Sequence, residues 1–190
     1  MTRVRELEDI LAAAPEEAAP RLLGSDLVSR VDGHLVRVRI NEVEAYKGEE
    51  DPASHAYRGE TDRNRSMFRK PGTLYVYRSY GIHNCANTAA GPEGVGWGVL
   101  IRGGDVVEGE GIAIRRRGRR SDLANGPGKL CQALGIAIEM NGTDLLDPSS
   151  IVHLDEGERP AMVMATPRIG ISRATDLPWR FVSVAQPAGT

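Results

Sequence analysis

Apolar and polar residues alternate along residues 34–46 with a period of two, which is typical of a half-buried β-strand. A second strand is predicted over residues 27–31, and Asp32-Gly33 between the two favours a hairpin turn. Other β-rich segments are predicted at 73–80, 98–102, 151–154, 161–165, 168–171 and 180–184. The pattern therefore predicts a chain with several short strands.

Helical periodicity is confined to three segments. The first covers residues 3–23, where Pro15 and Pro20 are expected to divide the helix into short pieces. A second helix is predicted over residues 105–114, and a third begins at Gly126-Pro127. The remaining stretch, residues 47–70, is polar and contains glycines, so a long functional loop is expected there.

The end of the alternating strand is a candidate site. An unbroken alternation would place Glu42 and Glu44 on the same face as Val38 and Ile40. A carboxylate on an apolar face must be paired, hydrogen-bonded, protonated or at the edge of a cleft. A β-bulge would remove this placement.

The charges are distributed unevenly although the formal net charge is only −2. Residues 58–78 contain six cationic and two anionic side chains, which predicts one basic face on a mildly acidic protein. Lysine occurs only at positions 47, 70 and 129, so 21 of the 24 cationic side chains are arginine. Arginine suits bidentate phosphate contacts, but codon bias explains the same excess.

Two further basic segments have open interpretations. Residues 115–120 contain five arginines, which form either a solvated surface or a phosphate contact. Residues 126–129 (GPGK) precede a predicted helix whose first amide groups favour a phosphate. The segment is not a Walker loop, because Leu123 and Leu130 occupy positions that need glycine and Ser/Thr.

The cysteine and histidine positions predict neither a metal site nor a cofactor. Cys85 and Cys131 lie far apart and are expected to be reduced core residues, and the four histidines show no paired ligand spacing. No apolar run approaches the roughly 18 residues that a membrane span needs. We therefore expect a soluble, cytoplasmic protein with no membrane partner.

The stretch from residue 40 to residue 81 combines a carboxylate, arginines and tyrosines. Hydrolysis of an N-glycosidic bond needs a carboxylate that activates water and stabilises an oxocarbenium-like centre. Glu44 is the candidate and Glu42 its nearest rival, while the alternative is that both only pair with arginines. Tyr46, His55, Tyr77 and Tyr80 offer flat surfaces for a base flipped out of a duplex, or they are ordinary sheet residues.

Several blocks of sequence carry a more specific indication. They lie in order between about residues 22 and 181, at 42–46 (EVEAY), 51–55 (DPASH), 63–68 (RNRSMF), 70–77 (KPGTLYVY), 80–81 (YG) and 126–134 (GPGKLCQAL). Together these blocks resemble the alkyladenine (3-methyladenine) DNA glycosylase family. The resemblance implies that Glu44 activates water and that Arg102 helps to orient the carboxylate and the water.

The resemblance also assigns residues to the base and to DNA. It implies that Tyr46, His55 and Tyr77 line the pocket for the flipped base, and that Asn87 at its floor hinders unmodified guanine. It further implies four DNA contacts, with Tyr80 as a minor-groove wedge: Tyr80, Ile82, Arg63 and Lys129. His83 and Asn84 depart from relatives that carry bulkier aromatic residues after Ile82.

Pattern and resemblance together predict a single α+β domain over residues 1–190. Its sheet is expected to be curved and mostly antiparallel, with flanking helices and with residues 1–20 as a helical N-terminal extension. The expected function is that of a monofunctional DNA glycosylase that removes alkylated or deaminated purines from double-stranded DNA. We expect it to act as a monomer and to be associated with the nucleoid when it is bound to DNA. A non-catalytic damage-recognition module and a hydrolase of free nucleosides are the alternatives.

Overall fold

Eight antiparallel strands form one curled sheet in the computed structural model, which describes residues 2–184. In chain order they are β1 (Asp26–Ser29), β2 (Val36–Lys47), β3 (Leu74–Ser79), β4 (His83–Ala90), β5 (Trp97–Glu108), β6 (Val152–Asp155), β7 (Met162–Thr166) and β8 (Arg180–Val184). The helices within this range are α1 (Thr2–Leu11), α2 (Pro15–Leu22), α3 (Glu110–Arg117) and α4 (Pro127–Leu134). The predicted α+β class with a mostly antiparallel sheet is confirmed.

Strand β2 is at the centre of the sheet and has a divided edge. On one side it pairs with β5 along most of its length. On the other side it pairs first with β1, through residues 36–39, and then with β8, through residues 42–44. The sheet therefore forks along β2, and the β7–β8 hairpin covers only the second half of that strand.

The helices cover one face of the sheet. Side chains of α1 and α2 pack with alternate residues of β2 in a single core that includes Leu7, Leu11, Leu22, Val36, Val38 and Ile40. Helix α4 begins with Pro127, as predicted, and contributes Leu130 and Leu134 to the same core. Because each strand alternates its side chains, the opposite face of the sheet is left for other contacts.

The alternation in β2 does not continue unbroken to its end, because a β-bulge interrupts it, which is the alternative that the sequence left open. The pairing of β2 with β5 shifts between Ile40 and Glu42 and again between Glu42 and Val43. Val43 consequently joins Ile40 in the core, and Glu44 turns to the opposite face. A single inserted residue has this effect because the side-chain period of a strand is two.

Three other predictions differ from the structure. Pro20 lies inside α2 instead of ending it, in a short helix that is held by its buried side. The predicted helix 105–114 is wrong in its first part, because residues 105–108 continue β5 and α3 begins only at Glu110. The chain turns at Gly109, which has φ 78° and no room for a Cβ, since the Leu35 carbonyl oxygen would lie 2.2 Å away.

The third difference concerns residues 168–171, which are irregular instead of forming a strand. They belong to the connection between β7 and β8, and this connection crosses the second half of β2. The strand β4 is not predicted by the sequence pattern, because its residues are mainly small or polar. It is nevertheless paired on both edges, with β3 and β5.

Candidate active site

A cavity of about 540 Å³ opens on the sheet face that is opposite the helices. The strands contribute alternate residues to its lining, while the intervening residues lie in the core. These lining residues are Tyr46, Tyr75, Tyr77, Cys85, Asn87, Leu100 and Arg102. The volume lies within the range of pockets that bind small organic groups.

Glu44 lies beneath this lining and is fully buried. Its Oε1 accepts a hydrogen bond of 2.8 Å from the Ile169 backbone N–H and lies 3.3 Å from Nη1 of Arg102. Its Oε2 accepts a 2.8 Å hydrogen bond from the Tyr46 hydroxyl. The desolvation cost of this carboxylate is therefore offset by three donors.

Arg102 connects Glu44 with the second carboxylate of the segment. Its Nε donates to Oε1 of Glu42 at 2.9 Å, and Arg180 donates to the same oxygen at 2.6 Å. Burial opposes the charge of Arg102, but Glu44 and Glu42 outweigh it and raise the pKa of its guanidinium. The expected pairing of both carboxylates with arginine is thus present, and it occurs directly at the wall of the cavity.

An aromatic wall stands beside this charged group. The rings of Tyr75 and Tyr77 are stacked at 5.7 Å, and His55 meets Tyr77 edge-on at 4.5 Å. Nδ1 of His55 lies 3.1 Å from the Tyr75 hydroxyl. Burial raises the pKa of Tyr75 to about 12 and also raises the pKa of Tyr77, so both hydroxyls stay protonated.

Two effects on His55 favour the neutral form of its ring. Its packing in the wall lowers the pKa of its ring, and the charge of Arg63 lowers it further. Asn87 also lines the cavity, and its side-chain amide donates to the Tyr75 carbonyl oxygen at 3.1 Å. The cavity thus offers flat rings and neutral polar groups beside the charged side chain of Arg102.

The rim of the cavity carries an unusually exposed aromatic residue. Tyr80 is 92% exposed and has φ 50°, and Gly81 beside it has φ 74°. A hydrogen bond from the Ile82 N–H to the Ser79 carbonyl closes this turn between β3 and β4. A left-handed backbone is strained for tyrosine, by about 1–2 kcal/mol. Ile82 is also largely exposed, at 74%.

The two predicted cationic DNA contacts lie at different places. Arg63 is exposed and lines the cavity next to His55. Lys129 lies in the first turn of α4, where its Nζ donates to Asn125 at 2.9 Å. Lys129 and Ile82 do not line the cavity, although Pro127 and Tyr80 near them do.

The sequence pattern missed one segment of the site. Residues 169–173, between β7 and β8, line the cavity, and Ile169 binds Glu44 through its backbone. Any residue except proline has a backbone N–H, so the type of residue at position 169 does not indicate this hydrogen bond. The pattern of apolar and polar residues therefore does not predict it. Tyr75 and Cys85 also line the cavity, and the period of two identifies both once β3 and β4 are placed.

The arginine run at 115–120 is used partly for structure. Arg116 donates to the carbonyl oxygens of Val31 and Ala133, at 2.9 and 3.1 Å. Arg117 donates to Gln132 on α4. These two arginines therefore join α3 to α4 and to the β1–β2 turn.

A candidate metal centre and a membrane-spanning helix are both absent from the part of the chain that the structure describes. Among residues 2–184, no group of three or more His, Cys, Asp and Glu side chains is arranged to hold a metal ion. In the same described part of the chain, every helix is too short or too polar to cross a membrane.

Comparison with known proteins gives a consistent result. The methylpurine-DNA glycosylase family model matches residues 9–187. Similar proteins that are provisionally named 3-methyladenine DNA glycosylases occur in Mycobacterium bovis (strain BCG / Pasteur 1173P2), Rhodococcus jostii (strain RHA1) and Nocardia farcinica (strain IFM 10152). Each is 46% identical to this chain, over 185, 190 and 191 residues respectively.

These matches extend over nearly whole proteins. They cover 93%, 96% and 94% of this chain and 89%, 83% and 87% of the three relatives. The protein is therefore an enzyme of the DNA glycosylase class, which acts in DNA repair. More particularly, the chain belongs to the methylpurine-DNA glycosylase family.

Proposed function

We propose that this enzyme flips a damaged purine nucleotide out of double-stranded DNA, binds the base in the cavity and hydrolyses its N-glycosidic bond. The observation that carries the proposal is the position of a buried, arginine-paired Glu44 directly behind an aromatic cavity. Both alkylated and deaminated purines are included as substrates. The product is an abasic site.

Glu44 is the proposed activator of water. A carboxylate has about four acceptor positions, and three donors occupy two positions on Oε1 and one on Oε2. The remaining position on Oε2 is where we place the attacking water. Arg102 orients the carboxylate and offsets its charge, and both Tyr46 and Arg102 contact Glu44 and line the cavity.

The bond changes are those of a simple hydrolysis. The water oxygen bonds to C1′ of the deoxyribose, while its proton passes to Glu44. The electron pair of the C1′–N9 bond leaves with the purine. An alkylated purine that carries a positive charge departs as a neutral base, so it needs no proton from an acid. An uncharged deaminated purine departs as an anion, which becomes the free base by taking a proton from water. Glu44 also stabilises the positive charge that develops at C1′.

Selection of the base is assigned to the wall of the cavity. Tyr46, His55 and Tyr77 present ring surfaces that attract a cationic purine without contacts specific to one lesion. A neutral His55 also supplies a hydrogen bond to an uncharged base such as a deaminated purine. Asn87 at the floor is proposed to obstruct the exocyclic amine of an unmodified guanine.

Contacts to DNA are assigned to the rim. Tyr80 is proposed to enter the minor groove and to fill the space that the flipped nucleotide leaves, with Ile82 beside it. The strained left-handed backbone of Tyr80 is kept although its side chain is exposed and contributes little to the core. This supports a role in binding for Tyr80 and not a role in folding. Arg63 and Lys129 are proposed to contact the DNA backbone. The logarithm of the affinity should therefore fall with the logarithm of the salt concentration, with a slope of roughly one for each phosphate contacted.

The enzyme is proposed to be monofunctional, without a lyase step. A lyase needs an amine nucleophile at C1′, and none of the three lysines of the chain, which all lie within residues 2–184, lines the cavity. Lys47 and Lys70 are engaged by Glu16 and Asp144. The DNA strand should therefore stay intact after base release.

A base-release assay tests this function. Matched duplexes, each with one 3-methyladenine, 7-methylguanine, hypoxanthine or ethenoadenine, would be incubated with the enzyme, and an undamaged duplex would serve as the control. Release of free base from damaged duplexes with strand cleavage only after alkali is expected. Absence of release from every lesion would refute the proposal, and cleavage without alkali would refute its monofunctional part.

A further inference from the structure

A buried ion pair lies behind the site and takes no part in the mechanism above. The side chains of Arg168 and Asp51 are both fully buried, and Nη2 of the arginine donates to Oδ1 of the aspartate at 2.9 Å. Nη1 of Arg168 also donates to the Ala45 carbonyl oxygen at 2.9 Å. Burying two charges is costly, and apolar side chains of similar size often serve stability equally well. The pair therefore calls for an explanation other than stability.

The guanidinium of Arg168 contacts the groups that hold Glu44. It lies 4.7 Å from the ring centre of Tyr46, whose hydroxyl donates to Glu44. The next residue along the chain, Ile169, donates its N–H to the other oxygen of Glu44. Arg168 thus adjoins two of the three donors to Glu44, which are Tyr46 and Ile169. The third donor is Arg102.

We propose that Arg168 is a positioning residue for Glu44, with Asp51 as its buried counter-charge. This inference rests on the proposed function, in which Glu44 activates water. Arg168 fixes the Tyr46 ring by stacking and fixes the Ile169 amide by anchoring its own segment to Ala45 and Asp51. Both Glu44 oxygens are then held at set places relative to the cavity.

The planar guanidinium is suited to this task. It lies over the ring of Tyr46 and over that of Trp179, whose ring centre is 5.3 Å away, and it simultaneously donates to a carboxylate and a carbonyl. A lysine at this position would keep the positive charge, but its ammonium group is not planar and lacks the forked arrangement of donors of a guanidinium. Displacement of a reacting group by about 1 Å is sufficient to reduce a rate by about 100-fold.

The test compares two variants with the wild type. The first is Arg168→Lys. The second, Arg168→Met with Asp51→Asn, removes both charges but keeps an oxygen that can accept from the Ala53 N–H, as Asp51 does now. For each we would measure the single-turnover rate of hypoxanthine release at saturating enzyme, the affinity for a duplex with an abasic-site analogue, and the melting temperature.

A loss of rate without a loss of binding is expected. Arg168→Lys should lower the single-turnover rate by about 100-fold and change the abasic-duplex affinity by less than about threefold. The charge-free double variant should recover most of the melting temperature, because no buried charge is left unpaired. Its rate should nevertheless stay low, which a purely structural ion pair would not produce.

Arg116→Lys is the matched control. Arg116 also donates to two carbonyl oxygens, those of Val31 and Ala133, and none of these three residues lines the cavity. This variant should lower the melting temperature and leave the rate of the folded enzyme unchanged.

Two results would overturn the inference alone. One is a wild-type rate in Arg168→Lys, and the other is a rate that recovers together with stability in the double variant. Failure of the proposed function looks different, because the wild type would then release no hypoxanthine or other damaged base, or Glu44→Gln would release it at the normal rate. The inference would fall with the function in either of those cases.

Discussion

Strand β2 carries two clusters of arginines and carboxylates, and they contrast although they use the same residue types. The outer cluster, at the start of β2, consists of Arg37, Arg39, Asp26, Asp155, Glu108 and Glu158. The cavity cluster, at its end, consists of Glu42, Glu44, Arg102 and Arg180. In the outer cluster the arginines are on β2, whereas in the cavity cluster the carboxylates are.

Burial and neighbours differ between the clusters. Glu158 and Glu108 of the outer cluster are 86% and 55% exposed, while Glu44 in the cavity cluster is 0% exposed. The outer cluster joins β2 to β1, β5 and β6, and the cavity cluster adjoins an aromatic cavity. The comparison teaches that place in the fold, more than residue type, separates a stabilising ion pair from a candidate catalytic one.

The largest effect is expected from the cavity cluster. Glu44→Gln should lower the rate of base release by about 10²–10⁴-fold, because an amide does not activate water. Binding to an abasic-site duplex should persist, because the shape of the residue is kept. Single-turnover kinetics and a binding titration would measure the two quantities.

Glu42→Gln provides the control for that change, since Glu42 contacts the same Arg102. A loss of about tenfold or less is expected from it, because it affects only the orientation of the arginine. If Glu42→Gln were the more damaging change, the two glutamates would have to exchange their proposed roles.

The outer cluster should respond in stability and not in rate. Asp26 is 4% exposed in its side chain and pairs with Arg37 and Arg39. Asp26→Asn leaves both arginines without this charge, so the free energy of unfolding should fall by about 2 kcal/mol. Chemical denaturation would measure this loss. A large drop in the rate of base release per folded molecule would contradict the assignment of the outer cluster to stability alone.

Tyr80 offers a third comparison, because it lies at the rim and belongs to neither cluster. Tyr80→Gly removes the proposed wedge, and affinity for a lesion duplex should fall by about tenfold, the equivalent of 1.4 kcal/mol. Stability should change by less than about 0.5 kcal/mol, because glycine relieves the strain at φ 50° but adds entropy to the unfolded chain. Equal losses of affinity for lesion duplex and single strand would argue against insertion.

The smallest effect concerns pH. His153 lies beside the outer cluster and is buried, and this burial lowers the pKa of its ring. The charges of Arg30 and Arg37 lower the pKa further, while Ser150 and Asp155 act in the opposite direction with effects smaller than that of burial. Protonation therefore favours the unfolded state, and stability should decrease as the pH falls below about 6.5. His153→Gln should flatten this decrease, which denaturation at a series of pH values would show. A steeper dependence would contradict it.

Much of the fold follows from the sequence, because hydrophobic periodicity records burial on one side of an element. The β1–β2 hairpin and the start of α4 are predicted this way. Strand β4 is not, because it owes its place to pairing with β3 and β5 on both edges. The bulge in β2 is equally hidden, since both Glu42 and Asn41 are compatible with either face.

The candidate site was predicted unevenly for a related reason. Blocks of specific residues indicate Glu44, Tyr46, His55 and Tyr77, and the structure brings these together around one cavity or directly behind it. Arg168 and Asp51 are 117 residues apart in the chain, and their contact depends on the path between β7 and β8. A pairing of that kind becomes visible only with the tertiary structure.

The bulge in β2 decides which of its residues face the cavity, because it adds one residue to a strand whose side chains alternate between the two faces. Opposite it, a Cβ on Gly104 would lie 2.3 Å from the Arg39 carbonyl oxygen, so only glycine permits this close approach of β5. One residue more or fewer between Ile40 and Val43 would exchange inside for outside along the rest of β2. Glu44 would then enter the apolar core and Val43 would face the cavity, although every side chain of the candidate site was still encoded. The proposed chemistry thus depends on whether the number of residues in this part of β2 is odd or even, as much as on the identity of the proposed catalytic carboxylate.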